Sequence, residues 1–87
     1  MLGLLANVPE QQLEPVRRGL ERLTKREVQV LRQAILGETA GESAVVLGIS
    51  VRTVELHRQQ VLSKLGVRNI TQAVRMIALI ERTGAAR

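Results

Sequence analysis

Between Gly48 and Gly66 the chain reads Gly-Ile-Ser-Val-Arg-Thr-Val-Glu-Leu-His-Arg-Gln-Gln-Val-Leu-Ser-Lys-Leu-Gly. No other stretch restricts the fold as much. It opens on a turn, Gly48-Ile49, and a serine able to cap a helix. It closes on a glycine suited to the left-handed position after a helix. Between them is room for about four turns at 3.6 residues per turn. With Val54 at zero on a helical wheel and about 100° per residue, Val51, Val54, Val61, Leu62 and Leu65 fall on one side. Arg52, Gln59, Gln60 and Ser63 fall on the other. Leu56 sits among them, at about 200°, where a solvated helix has no use for leucine. A polar face with one methyl-rich residue, amides and flanking cations suits the floor of a DNA major groove. Bases there offer donors, acceptors and the thymine methyl. The competing reading is a surface helix with one exposed leucine, which is common.

Charge bears on that choice. Thirteen basic residues stand against eight acidic ones, for a net charge of +5. This suits a polyanionic partner; a membrane surface and plain solubility are the competing explanations. The 87 residues suffice for one small domain. Cysteine is absent, which excludes disulfides and thiolate metal sites. His57 is the single histidine, too little for a multi-histidine metal site. No nucleophile motif accompanies it and no phosphate-cradling glycine loop occurs. The sequence therefore predicts a chain that is not an enzyme and uses neither cofactor nor metal. Aromatic residues are also absent, which argues against modules that stack bases on aromatic platforms. Duplex readout by a helix needs none.

The rest of the chain supplies a scaffold. Leu2, Leu4, Leu5 and Val8 give an apolar start that reads as neither a signal peptide nor a membrane span. Leu13, Val16, Leu20 and Leu23 recur at helical spacing and predict a short helix or linker over 13–22. Pro15 fits only its first turn, and Gly19 costs it about 1 kcal/mol against alanine. Arg17, Arg18 and Arg22 read as a solvated face, with phosphate contact as the competing role. Thr24-Lys25-Arg26-Glu27 is a capping box. It opens a helix whose expected buried stripe is Val28, Leu31, Ile35 and Leu36, and Gly37 ends it. Thr39-Ala40-Gly41-Glu42 repeats the pattern for a short helix to about Leu47, with Ala44, Val45 and Leu47 as its apolar contacts. Gly48-Ile49-Ser50 then forms the turn of a helix-turn-helix. Asn69 with Gln72 caps a last helix expected to run to about Arg82, before a frayed tail over 83–87. Its apolar residues go most of the way round the cylinder, which implies a second apolar contact beyond the chain's own core.

The run from Leu23 to Ala78 resembles the DNA-binding domain of LuxR/FixJ-type (GerE-like) transcription regulators. The residues that carry the likeness are Leu23-Thr24-x-Arg26-Glu27-x-x-Val30-Leu31, Gly37, and Leu47-Gly48-Ile49-Ser50-x-Arg52-Thr53-Val54-Glu55-x-His57-Arg58. They continue with Lys64-Leu65-Gly66-Val67-Arg68-Asn69 and Thr71-Gln72-Ala73-Val74. The Thr-Val-Glu-x-His-Arg form is most similar to the FixJ branch, whose members usually carry a phosphorylatable receiver domain. Two departures stand out. Ser43 stands where relatives have a bulky aliphatic, and Gly41 where a lysine is common.

The resemblance implies an all-α four-helix bundle containing a helix-turn-helix, without a wing. A short, partly helical linker segment over 1–22 precedes the domain over 23–82. It implies a cytoplasmic transcription regulator, as the effector domain of a two-component response regulator. It places Glu55, Leu56 and Gln59 at base-facing positions, and Arg52, Thr53, His57, Arg58 and Lys64 at or beside phosphate-facing ones. It gives homodimerisation on double-stranded DNA to the last helix, with Met76, Leu79 and Ile80 as its contacts. RNA polymerase is a further candidate partner, and no membrane is involved. Alternatives remain for single residues: Glu55 pairing with Arg52 or Arg58, His57 packing, and Arg58 snorkelling along the core side. Two other functions compete with the leading one. They are a sigma-factor-like promoter-recognition module and a helical protein-interaction module that never touches DNA.

Overall fold

Four of the five helices in the computed structural model, which describes residues 9–85, start where a side chain takes up free amide groups. Helix α1 spans Glu10–Glu21, α2 Lys25–Ile35, α3 Ala40–Leu47, α4 Val51–Leu65 and α5 Ile70–Ala85. Thr24 Oγ1 accepts from Glu27 N at 3.1 Å while Glu27 Oε1 accepts from Thr24 N at 2.9 Å. Thr39 and Glu42 repeat this reciprocal pair at 3.1 and 2.8 Å. Ser50 Oγ accepts from Thr53 N at 3.0 Å. Asn69 Oδ1 accepts from Gln72 N at 2.8 Å. Gln72 reaches back one residue further than the cap pattern predicts, accepting from Arg68 N at 2.8 Å. The turns behind α3 and α4 need φ of +68° at Gly48 and +70° at Gly66, a region costly for any residue with a Cβ.

Helix α4 is the hub, packing against α1, α2, α3 and α5. Val54, Val61 and Leu65 are its buried residues, as the wheel predicts, and Leu62 is half-buried. Val51 is not buried: it is 45% exposed, because the first turn projects beyond the edge of the core. One cluster joins Val16, Leu31, Val61, Leu65, Ala73 and Ile77; a smaller one joins Val30, Ala44 and Val54.

The structure corrects the expected α2 stripe. Its buried residues are Glu27, Val30, Leu31 and Ala34. Val28, Ile35 and Leu36 are exposed, Leu36 at 67%. The true stripe still has helical spacing, but a glutamate and an alanine hold its ends. On α3, Ala44 is buried and Leu47 half-buried, but Val45 is 83% exposed. The position beside Ala44 that meets the core is Ser43, at 0% exposure, and its hydroxyl has no hydrogen-bond partner. An unsatisfied buried hydroxyl costs about 1–3 kcal/mol. Ser43→Ala should therefore raise stability by about 1 kcal/mol, read as a higher midpoint in urea with an unchanged slope.

The segment expected as a linker is part of the core. Helix α1 begins at Glu10, three residues earlier than predicted, so Pro15 lies beyond its first turn. Leu13 and Val16 are buried. Gly19 is buried because α1 crosses α4 there almost backbone on backbone: a Cβ on Gly19 would lie 2.2 Å from Lys64 O and 2.9 Å from Leu65 Cα. Helix α1 also accounts for much of the surplus apolar surface on α5. Met76 and Ile80 pack against the cluster that contains Val16. That surplus was expected to lack a partner within the chain; the core cluster, to which α1 contributes Val16, takes part of it. Helix α5 runs on to Ala85, through most of the expected frayed tail, whose last two residues lie outside the described ones. So do residues 1–8.

Candidate nucleic-acid interface

The exposed side of α4 is set by its buried side. With Val54, Val61 and Leu65 packed inward, Arg52, Glu55, Leu56, Gln59, Gln60 and Ser63 face solvent. Leu56 is 44% exposed. The three residues expected to face base edges, Glu55, Leu56 and Gln59, thus share one open face, and Arg52 stands one turn before Leu56 on α4. Thr53 is half-buried, with its hydroxyl 2.9 Å from that of Ser50. His57 is half-buried on the flank. Among the described residues Glu55 forms no ion pair with Arg52 or Arg58, the alternative partners expected for it, and remains in solvent.

Two of the expected phosphate ligands have internal partners. Arg58 Nη2 donates to Glu38 O at 3.0 Å, tying α4 to the turn between α2 and α3. Its Nε is buried without a partner. Lys64 Nζ donates to Glu27 Oε1 at 2.7 Å and to Arg22 O at 3.3 Å. Burial alone would raise the pKa of Glu27. The hydrogen bond and charge of Lys64, with the hydrogen bonds from Thr24, outweigh it and hold the carboxyl below its ordinary value. The α1 cations are also occupied. Arg17 pairs with Glu10 and Glu14, Arg18 with Glu14, and Arg22 Nη2 donates to Lys64 O at 3.0 Å. The sequence places Lys64 toward phosphate because it lies near the helix end and needs only a point charge; its partner is 37 positions away, beyond any local pattern.

Of the residues expected at a dimer contact, Met76, Leu79 and Ile80 are half-buried. Met76 and Ile80 touch the core, so a charge placed on either would test folding before it tested association. Among the described residues, no group of three or more His, Asp or Glu could hold a metal ion. No helix among them is long and apolar enough to cross a membrane.

Residues 21–77 match the family model described as "Bacterial regulatory proteins, luxR family". Individual relatives agree. The chain is 47% identical over 53 residues to the transcriptional activator protein EsaR of Pantoea stewartii subsp. stewartii, covering 61% of this chain and 21% of that protein. It is 42% identical over 50 residues to the transcriptional regulatory protein TdiR of Thauera aromatica, covering 58% and 22%. It is 44% identical over 61 residues to the HTH-type quorum sensing-dependent transcriptional regulator RpaR of Rhodopseudomonas palustris, covering 70% and 24%. The chain spans less than a quarter of the length of these curated relatives. No solved structure matches it.

Proposed function

The chain belongs to the luxR family of bacterial regulatory proteins, and from that premise we propose that it reads duplex DNA, with α4 in the major groove. The observation that carries this is the open face of α4. Leu56 and Gln59 stand together in solvent, opposite Val54, Val61 and Leu65, so they reach base edges without disturbing the core. Leu56 suits a thymine methyl, and Gln59 a bidentate contact with adenine. Glu55 beside them suits a cytosine amino group. Arg52 takes a phosphate at the start of the helix, and Thr53 and His57 lie on the flank toward the backbone. Arg58 and Lys64 act chiefly inside the protein, by orienting α4.

The family match favours a regulator over a sigma-factor-like module or an interaction module that never meets DNA. As the resemblance implies, two copies bind two half-sites in the cytoplasm, associating through the part of α5 that carries Met76, Leu79 and Ile80. RNA polymerase is the further partner of such a complex. The Thr-Val-Glu-x-His-Arg run supports an effector domain of a two-component response regulator. The likeness to a regulator named as quorum sensing-dependent supports a second reading, in which a cell-density signal replaces phosphorylation. Operator occupancy by the parent regulator follows a phosphoryl donor in the first reading and culture density in the second.

Gln59→Ala tests the shared core of both. It should cost about 1–3 kcal/mol on the best site and relax preference at one base pair per half-site. Thermal stability should change by no more than about 0.5 kcal/mol, since the side chain is solvent-facing. Equal weakening on the best site and on random duplex would remove Gln59 from base reading. A large loss of stability would mean that this face is core.

A further inference from the structure

The cations of this chain fall into two groups. Arg17, Arg18, Arg22, Arg58 and Lys64 are engaged by carboxylates or carbonyls of the protein. Arg52, at the start of α4, Arg68, just past its end, and Arg75, in the second turn of α5, are exposed and, like Lys25, Arg26, Arg32 and Arg82, have no ion-pair partner among the described residues. Arg68, Asn69, Thr71, Gln72 and Arg75 together line an open hollow of about 520 Å³.

Two of the backbone donors at this end of α5 are already used. Gln72 N goes to Asn69 Oδ1 and Arg68 N to Gln72 Oε1, both at 2.8 Å. The charged donors that line the hollow are the two guanidinium groups, with the Thr71 hydroxyl and the Asn69 amide beside them. The same hydrogen bond from Arg68 N pins the backbone from which that guanidinium projects, so less freedom is lost when it grips an anion. Arginine's planar fork matches phosphate oxygens two at a time.

Position decides which anion. Helix α4 has 15 residues, about 22 Å at 1.5 Å per residue, whereas the major groove is about 12 Å wide. With Leu56 and Gln59 over the bases, the residues beyond Gly66 overrun the groove and meet its sugar–phosphate wall. We propose that Arg68 and Arg75 form a second phosphate grip, at the opposite end of α4 from Arg52. The inference rests on the DNA reading of α4 and extends it to residues that lie outside that helix.

The test uses the intact 87-residue chain and duplexes of random sequence, with affinity measured across a salt series. The unchanged chain should bind with a falling log–log salt dependence. Arg68→Ala with Arg75→Ala should lower affinity about tenfold at ~0.1 M salt, on every sequence alike, and flatten the slope by about 2 per protomer. Arg68→Lys with Arg75→Lys should recover most of the slope, since a point charge suffices to displace counterions. Arg18→Ala, on α1, should leave both unchanged. Helical circular dichroism should be the same in all variants, which separates lost contact from lost folding. If the unchanged chain binds and the double alanine variant matches it in affinity and slope, the grip is overturned while the DNA reading stands. A loss confined to one base pair also overturns it, because phosphates carry no sequence. If the unchanged chain shows no salt-dependent duplex binding, the DNA reading and the grip fall together.

Discussion

Gly19→Leu should destabilise the protein by about 3 kcal/mol or more. Even the first atom of such a side chain would sit 2.2 Å from Lys64 O and 2.8 Å from Lys64 C. These are backbone atoms in the last turn of α4 and cannot swing aside. Helix α1 must lift off, taking Leu13 and Val16 out of the core and uncovering Met76 and Ile80. Burial of each large aliphatic side chain contributes about 1.5–3 kcal/mol, so the loss exceeds what slight repacking could absorb. Alanine gives the sharper comparison. Gly19→Ala gains about 1 kcal/mol of helix propensity, yet should still lose stability. Gly41→Ala gains a similar propensity at a site where only Thr39 Oγ1 lies within 4 Å, at 3.8 Å, and should stabilise by about 0.5–1 kcal/mol. Urea midpoints of the three variants decide the matter. If Gly19→Ala proves as stabilising as Gly41→Ala, the close crossing is not as described.

Glu27→Ala should cost about 3 kcal/mol at neutral pH. Its carboxylate is 5% exposed and does two things at once. It closes the capping box of α2 through Thr24 N, and it receives Lys64 from the end of α4. Removal opens the cap, worth about 1 kcal/mol, and strands the lysine. Loss of a partner from a buried pair costs about 3–5 kcal/mol. The lower end applies here because Lys64 reaches water once freed. The same group makes stability depend on pH. Its folded pKa lies below its ordinary value, so the folded state holds fewer protons than the unfolded one in acid. The stabilisation is complete above the unfolded value of about 4.3. It disappears as pH falls through the lower folded value. Glu27→Gln removes this titration while keeping the shape. Its stability should fall less steeply than that of the unchanged chain as pH drops below about 4.3. Parallel acid limbs would count against a charged Glu27 in the folded protein.

What was legible in the chain is what is local. The boxes at Thr24 and Thr39, the Ser50 cap and the glycines that end α3 and α4 are each written within a few residues. So is the face of α4, because Val54, Val61 and Leu65 fix it from inside. The α2 stripe was misread for a different reason. Apolar character marks a buried face only when that face is filled by large apolar residues, and Glu27 and Ala34 are neither. The burial of Glu27 depends on a lysine from another helix, and no periodicity announces that pairing. Gly19 reads as a weak helix residue until the α4 backbone is seen beside it. The inward role of Lys64 was hidden likewise, since Glu27 lies on another segment; Arg58 was legible on the core side of the wheel, but its partner, Glu38 O, was not. Nor could the sequence show that Met76 and Ile80 pack against a cluster that includes Val16, because the segment carrying Val16 was read only as a short helix or linker.

One consequence of α3 concerns time rather than shape. This helix has only eight residues, secured at its ends by the Thr39–Glu42 box and Gly48. Its middle contributes little: Ser43 is buried without a partner, and Val45 and Val46 stand in solvent. Opening it sacrifices the Ala44 contact and a few hydrogen bonds, while α2 and α4 keep most of theirs. Helix α3 is therefore expected to open at a lower free energy than α2 or α4, and each opening would loosen the start of α4. A duplex held by Arg52 and Gln59 would damp that motion, so ordering α3 consumes part of the affinity that the contacts of α4 would otherwise provide.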